Sequence, residues 1–319
     1  MALKTVRVIA PSRSLRIISQ EVRQLAVQRL ASLNLKVEFS KNCEAENYFL
    51  DSAPVDKRLE DLVSAVMDEQ VDLIMSSIGG LTSIELLNKF DFSLLKNKPK
   101  KICGFSDITI LLNSIFAKTG LKTYLGPHFS TFGMLKGIEY IENYFIKCVI
   151  KEEPFIWEPS EYWSDDKWYL DQQGRTFHKN EGPWILNPGQ SEGIIIGGNL
   201  ICLCALLGTE FMPDLTGTIL IAELDEESRP DLFFFRLLYS IFLQPNAEKI
   251  KGLLIGRFQK NFGISRSELE KMIKALPLQQ NIPVIANLDF GHTTPFVTLP
   301  VGGRIEISTN PKLTIRVDP

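Results

Sequence analysis

The sequence predicts an α/β fold, with an N-terminal parallel-sheet domain followed by a β-rich domain. Two observations support this prediction. Over the first 150 residues, apolar strand-like runs alternate with amphipathic helical patterns. Strands and helices that alternate in this way form a parallel sheet covered by helices. After residue 150 the alternation stops, and most of the remaining periodic segments are short strand patterns.

The first 150 residues contain five strand candidates and two clear helical patterns. Within 21–33 and within 55–69, apolar residues recur every three or four positions, as they do on one face of a helix. The strand candidates are residues 6–12, 35–40, 71–80, 100–106 and 122–127. Parallel sheets carry their sites at the carboxyl ends of strands, so we expect functional residues just after these runs.

Residues 151–190 show little periodicity and contain all four tryptophans, so we interpret them as an irregular linker. Residues 191–319 then form the predicted β-rich domain. One helix is predicted there, at 264–276. The strand candidates are residues 192–198, 217–224, 250–258, 282–290, 304–308 and 313–317.

Composition excludes several classes of function. The 319-residue chain carries a net charge of -3 and has no basic stripe, so we expect no nucleic-acid polymer as a partner. No apolar run approaches the roughly 18 residues of a membrane span, and the first residues lack a signal-peptide pattern. We therefore predict a cytoplasmic protein without a membrane partner.

The five cysteines do not predict a metal centre. Only Cys202 and Cys204 lie close together, in an apolar run without the further ligand pairs of a zinc site. Reduced thiols fit the cytoplasm. We expect neither a bound metal nor an organic cofactor.

Ser106 is a candidate nucleophile because it lies where a strand passes into a helix. In such a turn the hydroxyl is exposed, and the N–H of Asp107 lies at a helix start, where it could stabilise an oxyanion. Ile108 replaces the second glycine of the hydrolase G-x-S-x-G pattern. A plain helix N-cap at Ser106 or Asp107 therefore stays open as an alternative.

A second strand-to-helix turn contains Gly79 and Gly80. Two glycines permit close backbone approach, and the turn could supply another oxyanion donor or bind an anion. An ordinary tight turn between strand and helix is the alternative.

A serine nucleophile usually needs a base and an orienting acid. The chain has three histidines: His128 follows a strand, His178 lies in a polar loop, and His292 lies between a strand and a proline-rich turn. Glu223 ends an apolar strand, where a carboxylate could orient an imidazole. Residue types alone leave the choice among these groups open.

Taken together, these segments resemble the LD-carboxypeptidase family of serine peptidases over nearly the whole chain. Several motifs in one order are more specific than any one of them. The longer linker with EYWSDDKW is similar to the branch that contains the microcin C immunity peptidase. The matching segments are APS (10–12), IGG (78–80), PKKICGFSD (99–107), KTGLKTYLGP (118–127), IIGGNL (195–200), GTEFMPDLTGTILIAE (208–223) and FGHTTPFVTLPVGG (290–303).

The resemblance implies a triad of Ser106, Glu223 and His292. Ala222 departs from the larger apolar residue that the family usually has before the acid. The oxyanion would be held by the backbone N–H groups of Asp107 and Gly80.

The resemblance also implies a flavodoxin/amidotransferase-like parallel domain joined to a β-rich domain, with the site between them and homodimers common. Asn199 and Arg236 fall at substrate-facing positions, and we expect Gly79 to bind substrate as well. The linker residues Trp163 and Trp168 would cover an aromatic base, although simple packing is an alternative for both.

The implied activity is hydrolysis of an amide bond, either next to a free carboxylate or in a peptidyl- or aminoacyl-nucleotide of the microcin C type. Two alternatives remain. One is a muramoyltetrapeptide LD-carboxypeptidase of murein recycling. The other is a non-catalytic protein that binds a peptide or an amino acid.

Overall fold

The structure is a computed structural model that describes residues 4–46, 48–226, 230–279 and 282–319. The α-helices are α1 (Gln20–Ser32), α2 (Val55–Met67), α3 (Ser93–Asn97), α4 (Thr109–Thr119), α5 (Glu139–Phe145), α6 (Leu200–Cys204), α7 (Pro230–Phe242) and α8 (Arg266–Lys274). The strands are β1 (Lys4–Ile9), β2 (Leu35–Phe39), β3 (Val71–Ser76), β4 (Lys101–Gly104), β5 (Thr123–Leu125), β6 (Phe155–Ile156), β7 (Tyr162–Trp163), β8 (His178–Lys179), β9 (Trp184–Asn187), β10 (Gln190–Asn199), β11 (Thr218–Glu223), β12 (Gly252–Gly256), β13 (Val284–Leu288), β14 (Leu299–Val301), β15 (Arg304–Ser308) and β16 (Thr314–Asp318).

The first sheet has the strand order β14-β5-β4-β3-β1-β2. The strands from β5 to β2 pair in parallel, whereas β14 pairs with β5 in the antiparallel sense. Val6, Val8 and Ile74 are fully buried, because helices cover a parallel sheet on both faces. The chain runs from β1 to β2 on one side and then returns to β3 on the other. Ligands of such sheets bind where the strand order reverses, at the carboxyl ends of the strands.

The second sheet has the order β6-β16-β15-β10-β11-β12-β13-β9. Its four central strands, β10 to β13, are parallel, and the outer strands pair in the antiparallel sense. Helix α8 begins with a capping box in which Ser265 and Glu268 satisfy each other's backbone N–H groups.

A buried asparagine joins helix α4 to strand β10 of the second sheet. Asn113 of α4 donates from Nδ2 to the Gly197 carbonyl oxygen and accepts the Gly197 N–H at Oδ1, each at 2.9 Å. Thr109, at the start of α4, accepts the Asn199 N–H at 3.1 Å. Gly197 has a φ of +111°, and a Cβ there would collide with the backbone of β11. These contacts fix α4, which begins at the Ser106 turn, against the end of β10.

The predicted fold class is confirmed, and the structure adds elements that the sequence did not reveal. The five predicted N-terminal strands are β1 to β5, and the helix predicted at 264–276 is α8. Helix α7 and the short strands β6 to β9 of the linker were not predicted. None of the helices in the described part of the chain has the length and apolar composition that a membrane crossing requires.

Candidate active site

Ser106 lies in the turn between β4 and α4 with a φ of +59°. A serine rarely adopts this left-handed conformation, which costs of order 1–3 kcal/mol and persists only where the surroundings enforce it. Such outliers cluster at functional sites. A strained strand-to-helix turn is also the geometry that exposes the serine of a nucleophile elbow.

A chain of hydrogen bonds joins Ser106, His292 and Glu223. The Ser106 Oγ lies 3.1 Å from Nε2 of His292, and Nδ1 of the same ring lies 2.7 Å from Oε2 of Glu223. Glu223 is 3% exposed. An ionised carboxylate only accepts hydrogen bonds, so Nδ1 carries the proton and Nε2 is left to accept from the serine hydroxyl. The arrangement can activate a serine oxygen at neutral pH.

Two glycines let the histidine loop lie against the acid. Glu223 is the last residue of β11, and His292 follows β13 by four residues. Gly291 has a φ of +97°, and a Cβ at this position would lie 2.9 Å from Oε2 of Glu223. At Gly256 a Cβ would lie 3.0 Å from the Cβ of Glu223. Any larger side chain at these positions would displace His292 or Glu223 and disturb the hydrogen bond between them.

The Gly79–Gly80 turn lies directly against the serine. A Cβ at Gly79 would lie 3.0 Å from the Cβ of Ser106, and Gly80 has a φ of +150°, which favours glycine. The N–H of Asp107 lies in the first turn of a helix, where backbone N–H groups have no intrahelical partner. The Gly79–Gly80 turn and the helix start that carries the Asp107 N–H therefore both lie next to Ser106.

Ser83 ties the two turns together. Its backbone N–H donates to Oδ2 of Asp107, and its hydroxyl donates to the Asp107 carbonyl oxygen, both at 2.9 Å. Both side chains are buried. Sequence reasoning missed Ser83, because nothing in the sequence shows that the segment after Gly80 touches the segment after Ser106.

Asn199 lies beside Glu223, whereas Arg236 lies on the exposed side of helix α7. Asn199 ends β10, pairs in register with Glu223, and caps α6 by accepting the Cys202 N–H. Arg236 lies on α7 with an exposed side chain, and its guanidinium is 6.0 Å from the ring of Phe233. Within the described residues, no contact joins Arg236 to the hydrogen-bonded chain.

The two linker tryptophans differ in their surroundings. Trp163 is half-buried, with its ring 5.2 Å from the Arg257 guanidinium and 5.9 Å from the Lys260 ammonium. The next residue, Ser164, pairs with Thr294 through two backbone hydrogen bonds, two residues beyond His292. Trp168, also half-buried, packs edge-on against Tyr169.

A cavity of about 420 Å³ is lined in part by His178 and Lys260, which both contact the Trp163 ring. Its wall includes Glu226, three residues after the acid of the hydrogen-bonded chain. The lining residues are Asp165, Asp166, Lys167, Thr176, His178, Glu226, Lys260 and Asn261.

Burial sets the charge of two neighbouring groups. It lowers the pKa of His128 to about 3, so this imidazole is neutral near pH 7. It raises the pKa of the Cys202 thiol well above its ordinary value, and nearby Asp107 and Glu223 act in the same direction. Cys202 therefore stays protonated and is a poor nucleophile. Among the described residues, no group of three or more His, Cys, Asp or Glu side chains is arranged to hold a metal ion.

Two family profiles match the chain. The LD-carboxypeptidase N-terminal domain matches residues 6–126, and the LD-carboxypeptidase C-terminal domain matches residues 192–307. The first match contains Ser106, and the second contains Glu223 and His292.

Curated relatives carry corresponding names. The putative carboxypeptidase YocD of Bacillus subtilis is 42% identical over 303 residues, which cover 95% of this chain and 92% of the relative. The microcin C7 self-immunity protein MccF of Escherichia coli is 32% identical over 278 residues, covering 83% and 79% of the two chains. A probable murein peptide carboxypeptidase of Bacillus subtilis is 27% identical over 316 residues, covering 98% and 91%.

Solved structures agree with the sequence comparison. An MccF-like protein from Bacillus anthracis superposes with a TM-score of 0.95 at 43% identity, covering 99% of this chain and 97% of the other. MccF in complex with aspartyl sulfamoyl adenosine superposes with a TM-score of 0.86 at 26% identity, covering 100% and 97%. The protein is therefore a serine peptidase that belongs to the LD-carboxypeptidase family.

Proposed function

We propose that this peptidase hydrolyses the acyl–nitrogen bond of an aminoacyl- or peptidyl-nucleotide of the microcin C type. Ser106 is the nucleophile, His292 the general base and Glu223 the orienting acid. The observation that carries the hydrolytic part of the proposal is the continuous hydrogen-bond chain from Glu223 through His292 to Ser106.

In the acylation step, Nε2 of His292 takes the hydroxyl proton while the Ser106 oxygen attacks the substrate carbonyl carbon. Negative charge develops on the carbonyl oxygen, and the backbone N–H groups of Asp107 and Gly80 stabilise it. Stabilisation of this kind is usually the largest electrostatic contribution to acyl transfer. The protonated His292 then gives its proton to the leaving nitrogen, so the acyl–nitrogen bond breaks and an acyl-serine remains.

Water completes the reaction by the same route. His292 removes a proton from the water, the resulting oxygen attacks the acyl-serine, and Ser106 leaves with the proton returned to it. Glu223 keeps the imidazole in the tautomer with the proton on Nδ1 and stabilises the imidazolium that forms in each step. The scheme uses only residues of this chain and water.

The surroundings of Trp163 favour a nucleotide as the leaving group. Its ring lies next to two cations, and two residues that contact the ring, His178 and Lys260, line the cavity of about 420 Å³. An aromatic wall stacks a base, and Lys260 offers positive charge to a phosphoryl or sulfamoyl group. MccF, a relative at 32% identity, has been solved with aspartyl sulfamoyl adenosine.

A murein tetrapeptide is the second candidate substrate, because one relative is named a probable murein peptide carboxypeptidase. The same three residues would then release the terminal amino acid, which carries a free carboxylate. Asn199 and Gly79 border the reacting carbonyl in either case, and Arg236 is proposed as a more distant contact. The cytoplasmic location and the homodimer expected from the resemblance remain predictions.

The test offers both substrates to the enzyme and follows the products by mass spectrometry. We expect the wild type to hydrolyse an aminoacyl-sulfamoyl adenosine faster than a murein tetrapeptide. Ser106→Ala should fold normally and lose turnover, because removal of a triad nucleophile costs up to about a million-fold in kcat. A serine-directed phosphonate should label the wild type. Retained turnover in Ser106→Ala would disprove the nucleophile, and exclusive activity on the tetrapeptide would assign the murein substrate.

A double variant tests whether Trp163 and Trp168 stack against the base of the substrate. Changing Trp163 and Trp168 to Ala should raise KM for the sulfamoyl adenosine, since stacking contributes about 1–3 kcal/mol and binds ground and transition states alike. The tetrapeptide, which has no base, should be affected much less. Trp184→Ala is the matched control, because Trp184 lies on β9 next to Arg266. Equal losses on both substrates would show that the pair has only a packing role.

A further inference from the structure

His128 lies next to the nucleophile, yet the proposed reaction does not use it. β4 and β5 are neighbouring parallel strands, and Ser106 follows β4 by two residues while His128 follows β5 by three. Carboxyl ends of adjacent parallel strands meet at one edge of the sheet. The His128 side chain is almost completely buried there, at 4% exposure.

The His128 ring makes two contacts with the residue before the nucleophile. Its Nε2 lies 2.9 Å from the carbonyl oxygen of Phe105, and its ring stacks on the Phe105 ring at a centroid distance of 4.1 Å. A carbonyl oxygen only accepts hydrogen bonds, so Nε2 carries the proton and donates. The ring is therefore a neutral donor aimed at the peptide that links Phe105 to Ser106.

That peptide plane sets the direction of the nucleophile. The φ angle of Ser106 describes rotation about the bond next to this plane, and it is held at +59°. A residue in this region relaxes unless its neighbours hold it. The Phe105 ring also lies 5.5 Å from the His292 ring and 5.1 Å from the Phe296 ring. His128 and the loop that carries the base thus hold Phe105 from two sides.

We propose that His128 is a positioning residue, which holds the Phe105–Ser106 peptide so that the Ser106 hydroxyl points at Nε2 of His292. The inference rests on the proposed role of Ser106. His128 also packs against the Gly79–Gly80 turn, since a Cβ at Gly79 would lie 3.6 Å from Cε1 of the His128 ring. One buried ring therefore contacts both the nucleophile turn and the Gly79–Gly80 turn.

Two variants separate the hydrogen bond from the volume of the ring. His128→Gln keeps an N–H donor near the position of Nε2, and His128→Leu keeps an apolar side chain without one. The readouts are kcat and KM for the aminoacyl-sulfamoyl adenosine and the rate constant for labelling by a serine-directed phosphonate. Misplacement of a reacting group by about 1 Å can cost roughly a hundredfold in rate. We expect His128→Leu to lose roughly ten- to a hundredfold in kcat and in labelling rate, with KM within about twofold, and His128→Gln to recover most of both rates.

Phe132→Leu controls for loss of packing. Phe132 is buried four residues after His128 and packs against Phe145. Phe132→Leu should lose about as much thermal stability as His128→Leu does, while its rate of labelling by the phosphonate should match that of the wild type. Equal labelling of wild type and His128→Leu, or equal slowing in Phe132→Leu, would overturn the positioning role.

The pH profile distinguishes positioning from base catalysis. His292 is the titratable group that faces His128, and the acid limb of kcat/KM should stay where it is in His128→Gln. If the acid limb of the kcat/KM profile were displaced or missing in His128→Gln, His128 would be the base and the inference would be overturned. A wild type that resists the phosphonate would disprove the nucleophile itself and this inference with it, whereas a labelled wild type with unaffected His128 variants would disprove the inference alone.

Discussion

Ser106 stores backbone strain that neighbouring residues must balance. Its φ of +59° is maintained by contacts from other elements, among them the His128 ring and the Gly79 backbone. Gly79 and Gly291 lack a side chain where the Ser106 and Glu223 side chains press against the backbone. At this scale the geometry of the site depends on a few backbone positions as much as on the three hydrogen-bonded side chains.

Burial of His128 predicts a loss of stability in acid. The unfolded imidazole binds a proton below about pH 6.5, whereas the folded ring, with a pKa lowered to about 3, stays neutral. Between these values the unfolded state binds more protons, so the free energy of unfolding falls as the pH falls. The slope from this one residue is at most about 1.4 kcal/mol per pH unit.

Urea unfolding at several pH values between 7 and 4 measures this slope. His128→Gln lacks the titrating ring, so its curve should be shallower than that of the wild type. Carboxylates contribute alike to both proteins, and the difference between the two curves isolates His128. Parallel curves would mean that the His128 ring takes up its proton over the same pH range in the folded and unfolded states.

At the scale of elements, the clearest new feature is the pair of hydrogen bonds between Ser83 and Asp107, which we call the Ser83 clamp. It joins the segment after the Gly79–Gly80 turn to the segment after Ser106. Ser83→Ala removes the hydroxyl bond to the Asp107 carbonyl but keeps the backbone bond to its carboxylate. We expect a stability loss of about 1 kcal/mol and a kcat about tenfold lower, with KM little changed, because the proposed oxyanion donors, the N–H groups of Asp107 and Gly80, would no longer be held at one spacing.

Ser114→Ala is the matched control for this clamp. Ser114 is also fully buried, and its hydroxyl bonds within α4, to the Ile110 carbonyl. It should lose a similar amount of stability without a change in kcat. If steady-state kinetics showed the same kcat loss in both variants, the oxyanion spacing would not depend on Ser83.

Sequence patterns revealed the strands well and one helix poorly. The apolar runs of β1 to β5 are bounded by turn residues, so their positions could be predicted. In α7, Phe234, Leu238, Ile241 and Phe242 are buried at helical spacing. Phe233 is exposed and Phe235 half-buried on the same helix, so the apolar run looks continuous and its period is hidden. β14 has three residues and pairs with a distant strand, for which no local pattern exists.

At the scale of the whole molecule, the site depends on how the two sheets meet. Ser106 and His292 are 186 positions apart, and His292 and Glu223 are 69 apart. No periodicity predicts such a meeting, so the residues alone left the choice of base and acid open and the family resemblance supplied it. The catalytic roles and the domain limits at 150 and 190 remain predictions.

The Asn113 contacts at the junction predict coupling between stability and activity. Asn113→Leu leaves the Gly197 N–H and carbonyl unpaired in a buried position, at an expected cost of about 2–4 kcal/mol in unfolding free energy. α4 should then shift against β10 and lower kcat, which steady-state kinetics on the folded variant would show. Asn187→Leu is the control, because its side chain bonds the Ile282 carbonyl at the far edge of the second sheet. An Asn113 variant that is less stable but fully active would mean that the junction does not set the site geometry.

The return of β14 to the first sheet also bears on how the protein is made. The strand begins seven residues after His292, and until it pairs, β5 is an open edge with unpaired backbone groups. A ribosome must therefore translate past residue 301 before β14 can cover this edge of the first sheet. A nascent fragment that ends before residue 299 would leave this edge of β5 able to pair with another chain.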